Sequence, residues 1–325
     1  MKRFKNILLI TNKNDINSSN IIRAVSLARS NKANLTIADV VPGLPLMQRQ
    51  LIPSPGIASV LSGLAEKRLN ELTFMAQELS AKMDITPLVL QGTPYLEIIR
   101  VVMQQRFDLL IKISEPEESF TAKIFDSTDF RLLRKCPCPV WLLKPDASFS
   151  FRSILAAVSL ETFDQDEDID GLNKQILEMA TSLALEESSE LHIVHAFKIF
   201  GEDLLDLPLA GYVVGDEVRE WMMSQRHEIE ERFKYVTELL KKHLKDNNME
   251  KLNPQFHLVE GDAQEVIQRM IKDNKVELVV MGTVARSNLS GLLMGNTAEN
   301  ILNRILCSVL AVKPSSFTSP LRFDE

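Results

Sequence analysis

The chain has 325 residues, enough for two ordinary domains each with its own core, and its 45% hydrophobic and 25% charged content is that of a folded globular protein. A formal net charge of -7 and the lack of any Lys/Arg run exclude broad electrostatic attachment to nucleic acid or anionic membrane. Cys136, Cys138 and Cys307 are too few for a disulfide framework, and no stretch approaches the ~20 apolar residues of a membrane helix.

In chain order, Met1-Lys2-Arg3-Phe4-Lys5 leads into an apolar run, Ile7–Ile10, that stops too early for a secretory core, so a cytoplasmic location is expected. Asn20 to Ser30 carries Ile21, Ile22, Val25 and Ala28 at helical spacing. Strands are predicted at Leu35–Val41, at Pro87–Leu90 ending on Gly92, at Leu109–Ile113 and at Val140–Leu143, with helices between them. Pro145-Asp146-Ala147-Ser148-Phe149-Ser150 reads as a boundary, dividing the chain into domains 1–147 and 148–325.

Beyond it the same order returns. Strand Ile154–Val158 precedes a helix with Leu172, Ile176, Leu177, Ala180 and Leu183 on one face. Strand Leu191–Ala196, an amphipathic helix over Glu217–Leu244 and strands Gln255–Val259, Leu278–Met281 and Val309–Val312 follow. The helix carries Met222, Ile229, Phe233, Val236 and Leu240, which suits covering a sheet better than lying on a membrane. FDLLIKIS at 107–114 matches VELVVMGT at 276–283, 169 residues later, and CPVWLLKP at 138–145 matches CSVLAVKP at 307–314 at the same offset. FKNILLIT at 4–11 matches FRSILAAV at 151–158 at an offset of 147, so the second copy holds 22 additional residues in between. Near-continuous apolar strands alternating with helices predict an α/β fold: two tandem doubly wound, five-stranded parallel-sheet domains of Rossmann-like type.

In such sheets a ligand sits beyond the carboxyl ends of the strands, where strand order reverses. The second copy's fourth strand opens there into Met281-Gly282-Thr283-Val284-Ala285-Arg286, and the next helix begins at Gly295-Asn296-Thr297-Ala298. Gly282 and Gly295 let backbone approach an anion, and the amides of Asn296, Thr297 and Ala298 present donors at a helix start, with Arg286 as a nearby cation. The same glycines equally serve to turn the chain, with Asn296 as a cap. The first copy has Ile113, Pro116 and Asp126 where the second has Gly282, Ala285 and Gly295, and Glu115, Glu117 and Glu118 add repulsion. Asp126 is expected to satisfy the helix amides itself and exclude phosphate.

The loop resembles the signature G-x2-G-x9-G-[ST] of the universal stress protein family, with Ala285 in place of the second glycine and Asn296 in place of Ser/Thr. The resemblance extends from Phe4 to Pro314 and is to the tandem, two-domain type. It implies an adenine-nucleotide alpha-hydrolase-like fold, a non-enzymatic stress-response module and ATP held by Met281, Gly282, Arg286, Gly295, Asn296, Thr297 and Ala298. It also implies nucleoside contacts near Ser159 and Ala196, though the acid many members carry at the first strand's end is Asn12 or Ser159 here. Fifth strands commonly pair in the family, so the copies are expected to form an internal pseudo-dimer, and a homodimer of whole chains is compatible with it.

Two further readings stand beside ATP. The apolar segment 200–215 suits a lid for an amphipathic, phosphorylated ligand, or packing against the neighbouring copy. A slow ATP hydrolase or nucleotidyl transferase ranks last, since no GxxxxGK[ST] loop or G-x-S-x-G elbow is present. His192 and His195, three apart on a strand, point to opposite faces and cannot share a metal, and Cys136-Pro137-Cys138 reads as buried thiols.

Overall fold

The computed structural model describes residues 4–11, 19–41, 43, 55–79, 83–114, 127–148, 150–160, 167–199, 201, 215–243, 250–283, 295–302 and 304–322. The chain divides into two compact units: 1–149 with 283–294 and 307–325, and 150–282 with 295–306. The first unit therefore takes the last strand of the second sequence copy.

In the first unit, strands β1 (Asn6–Ile10), β2 (Asn34–Val41), β3 (Ile85–Gln91), β4 (Leu109–Ile113) and β5 (Val140–Leu143) run parallel in the order β3-β2-β1-β4-β5. They alternate with α1 (Ser19–Asn31), α2 (Pro55–Leu79), α3 (Pro94–Gln105) and α4 (Thr128–Lys135). Central strands β1 and β4 are buried on both faces, which is why β1 reads as an apolar run from Ile7 and β4 as one interrupted by Lys112 alone. β10 (Ser308–Val312) adds to β5 antiparallel, with Val309 opposite Leu142 and Ala311 opposite Val140. The fifth strands thus pair as the family resemblance implies, and Lys144 N–H donates to Ser308 Oγ at 3.2 Å beside them.

The α1 helix anchors the boundary segment. Ser19 Oγ donates to Ala147 O, Asn20 Nδ2 to Lys144 O and Arg23 Nη2 to Ser148 O, at 3.0, 2.8 and 2.5 Å. Its buried face includes Ile21, Ala24, Val25 and Ala28, whereas Ile22, expected on that face, is 46% exposed.

The second unit carries β6 (Ser153–Ala157), β7 (Glu190–Phe197), β8 (Gln255–Glu260) and β9 (Leu278–Gly282), parallel in the order β9-β6-β7-β8. Its helices are α5 (Glu167–Glu187), α6 (Asp216–His243), α7 (Ala263–Asp273) and α8 (Asn296–Leu302). The edge of Phe233 on α6 meets Phe256 on β8, placing α6 over the 256/258 face of the sheet.

Duplication is written into the contacts as well as the sequence. Asp108 accepts from Lys5 N and Asn6 N at 2.7 and 3.1 Å and returns its own N–H to Asn6 O. Its counterpart Glu277 accepts from Arg152 N at 2.5 Å and returns its N–H to Ser153 O. Both sequence offsets meet in that one contact. Gly92 and Gly261 share φ of 144° and 140°, a region that L side chains rarely adopt, and each turns its chain out of the third strand of its copy.

Candidate functional site

The strands of the second unit bring four of the sequence-derived candidates to one end of the sheet. Ala157 on β6 is in register with Val194 on β7 and Met281 on β9. Ser159, Ala196 and Gly282 follow directly, so with Met281 they share the carboxyl end of β7-β6-β9. Strand order reverses here: the chain leaves β6 for β7 on one side and returns from β8 to β9 on the other, which opens a crevice beside β6.

Ser159 is held by its backbone. Its N–H donates to Asn173 Oδ1 at 3.0 Å, and Asn173 Nδ2 donates to Ser159 O at 2.7 Å. Asn173 is buried on α5, and this amide clamp fixes the chain as it leaves β6. One residue earlier, His195 Nδ1 lies 3.2 Å from Val158 O, and Val158 N–H donates to Val194 O. Sequence reasoning identified Ser159 but missed Asn173, a polar residue on the largely apolar face of α5 whose burial only the fold reveals.

Gly282 has a packing reason of its own. A Cβ built there would lie 2.8 Å from Leu172 Cδ2, so a side chain would have to push aside the end of the Leu172 side chain. Met281 is buried in the core, leaving its backbone for any ligand. Gly295 is half-buried, and its carbonyl accepts from Glu299 N at 2.9 Å to open α8. Thr297 is exposed and Ala298 buried. Asn296 begins the helix, while Arg286 and the side chain of Asn296 lie outside the described residues.

The corresponding place in the first copy is filled from within. Ser127, which aligns with Asn296, caps α4: its Oγ accepts from Phe130 N at 3.2 Å. Lys112, where the second copy has Met281, is buried; it lies 2.8 Å from Asp129 Oδ1 and donates to Ile113 O. Asp129 aligns with Ala298. A helix amide and a strand-end cation are therefore both engaged by the protein itself. Asp126, expected to play the capping part, lies outside the described residues, and Ser127 performs it. Arg68 adds a second internal pair, with its Nε 2.5 Å from Asp39 Oδ2 at the end of β2.

Other polar groups fall elsewhere. His192 Nδ1 and His257 Nε2 are 3.1 Å apart, and burial lowers the pKa of both rings. Among the described residues no cluster of three or more His, Cys, Asp or Glu could hold a metal ion. Just before and after the apolar segment, Ile199 joins Phe197 and Met222 in the core; within the segment only Gly201 and Gly215 are among the described residues. A broad hollow of about 580 Å³ runs along α2, lined by Gly63, Glu66, Lys67, Asn70, Glu71 and Phe74, and includes no candidate residue. Among the described residues no helix is long and apolar enough to cross a membrane.

A profile of the universal stress protein family matches residues 3–144 and 170–313. The chain belongs to that family. The two family segments lie in tandem along the chain. Universal stress protein E of Photorhabdus laumondii is 27% identical over 99% of this chain and 99% of its own length. The universal stress protein E homolog of Haemophilus influenzae is 28% identical over 96% of this chain and 98% of its own. Among solved structures, a Pseudomonas aeruginosa PAO1 protein described as functionally unknown superposes with a TM-score of 0.66 at 22% identity, over 97% of this chain and 94% of that one. A universal stress protein from Archaeoglobus fulgidus gives 0.57 at 18% identity, over 96% and 97%. These two structural likenesses establish the open, mostly parallel α/β fold.

Proposed function

We propose that this universal stress protein is a binding module for one phosphate-bearing ligand, of which ATP is the leading case, taken up at the carboxyl end of β9 in the second copy. The domains are read as 1–147, a scaffold with a self-filled crevice, and 148–325, the ligand-bearing copy. The observation that carries the reading is the contrast between equivalent positions. Lys112, Ser127 and Asp129 are spent on internal contacts, whereas Met281, Gly282, Gly295 and Ala298 set no charged side chain in the way. Backbone amides at Gly295 to Ala298 then supply the donors an anion needs, and the clamped backbone of Ser159 and the end of β7 at Ala196 offer an edge for the nucleoside.

Binding without turnover fits a loop that carries no phosphate-loop lysine. The ligand's role is then to change the shape or partners of the protein under stress, through its differential affinity for two states. Isothermal titration calorimetry of the full chain with ATP, repeated on Gly295→Asp, tests the reading. Saturable heat in the wild type that disappears in the variant is expected. No heat at millimolar ATP, or heat unchanged by Gly295→Asp, refutes it.

A further inference from the structure

Cys136 closes α4, its N–H donating to Leu132 O, and Pro137 alone separates it from Cys138 at the entry to β5. The two sulfurs lie 3.6 Å apart and both side chains are buried. Across the antiparallel pair, Val140 faces Ala311, and Lys313, two residues beyond Ala311, lies close enough to both thiols to interact with them electrostatically. Lys313 is buried too. Its Nζ donates to Leu133 O and to Thr283 Oγ1 and lies 4.6 Å from the centre of the Phe317 ring. These acceptors are a carbonyl and a hydroxyl, both neutral, so among the described residues a buried cation sits by a buried dithiol with no carboxylate hydrogen-bonded to it.

We propose that Cys136 and Cys138 form a two-coordinate site for a thiophilic monovalent cation of the Cu(I) class, with the Lys313 ammonium as its counter-charge. Thiolates are soft donors and select such ions. Two donors fall short of the tetrahedral set that Zn(II) takes. Two thiolates and a monovalent ion sum to one negative charge, which the nearby Lys313 ammonium offsets, beside the Asp108 carboxylate that also acts on Cys138; softness and the two-donor set, rather than charge, select the ion. Binding displaces both thiol protons to solvent, and no electron is transferred. Hydrogen bonding with Cys136 and burial hold the Cys138 thiol well above its usual range. Cys138 is the more accessible of the two, at 7% against 0% for Cys136, and is the point of entry.

The test uses the full chain, reduced and under anaerobic conditions, competing for Cu(I) against the chromogenic chelator bathocuproine disulfonate. Wild type and Cys307→Ser are expected to withdraw one equivalent, and Cys136→Ser and Cys138→Ser to lose that uptake. Lys313→Gln is expected to weaken it about tenfold, the size typical of an outer-shell partner. X-ray absorption of the Cu(I)-loaded wild type, which depends on no variant folding, should report two sulfur ligands. No uptake by the wild type, uptake that follows Cys307, uptake unchanged in both serine variants at 136 and 138, or a first shell without two sulfurs would each overturn the site.

Discussion

The ion pair in the first copy gives the sharpest energetic test, because the second copy supplies its apolar replacement. Lys112 and Asp129 meet at 2.8 Å with side chains 9% and 23% exposed. At an effective dielectric near 20 the attraction is about 6 kcal/mol gross, and the cost of desolvating two ions offsets most of it. Removing one partner forfeits the attraction but keeps the other charge's desolvation cost. Asp129→Ala should therefore destabilise the chain by about 3 kcal/mol, the low end for a buried pair because Asp129 retains some solvent. Lys112→Met with Asp129→Ala installs the pair found at Met281 and Ala298, and should return stability to within about 1 kcal/mol of wild type. The assay is a double-mutant cycle by urea unfolding, followed through the transition that reports the first unit. Additive single-site effects, with no recovery in the double variant, would refute the reasoning.

Two further perturbations follow from the same geometry. Gly261→Ala forces a side chain into φ of 140° and brings a Cβ to 3.2 Å from Val266 Cγ2, so a loss of about 1–3 kcal/mol is expected in thermal or urea unfolding; a change below about 0.5 kcal/mol would contradict it. His192 and His257 have pKa values lowered by burial, so the unfolded chain binds more protons as pH drops below about 6.5, and the folded state loses stability there. His192→Phe should flatten the acid side of a stability–pH profile below that point, and an unchanged slope would show that the ring does not titrate with folding.

Much of the fold could be read from the sequence because parallel strands covered on both faces leave a near-continuous apolar signature. β1, β4, β6 and β9 lie within a residue or so of their expected positions. β3 was harder: it begins at Ile85, before Pro87, because an edge strand tolerates a residue without an N–H to donate. Helical periodicity misplaced Ile22, since apolar residues also occur singly on surfaces. At the candidate site, glycine positions and strand ends were legible, but the contacts around them were not. Asn173 clamping Ser159, Lys112 meeting Asp129 and His192 facing His257 join residues 14, 17 and 65 positions apart, and only the folded sheet brings them together. Ser127 carried no sequence signal beside Asp126, and its capping of Phe130 N is visible only in the folded helix.

The central claim is that a duplicated chain retains a single phosphate site, in its second copy. Equilibrium dialysis of the full chain against labelled ATP measures that most directly. One molecule bound per chain is expected in the wild type and in Lys112→Met with Asp129→Ala, and none in Gly295→Asp. Two molecules bound per wild-type chain, or one that survives Gly295→Asp, would contradict it.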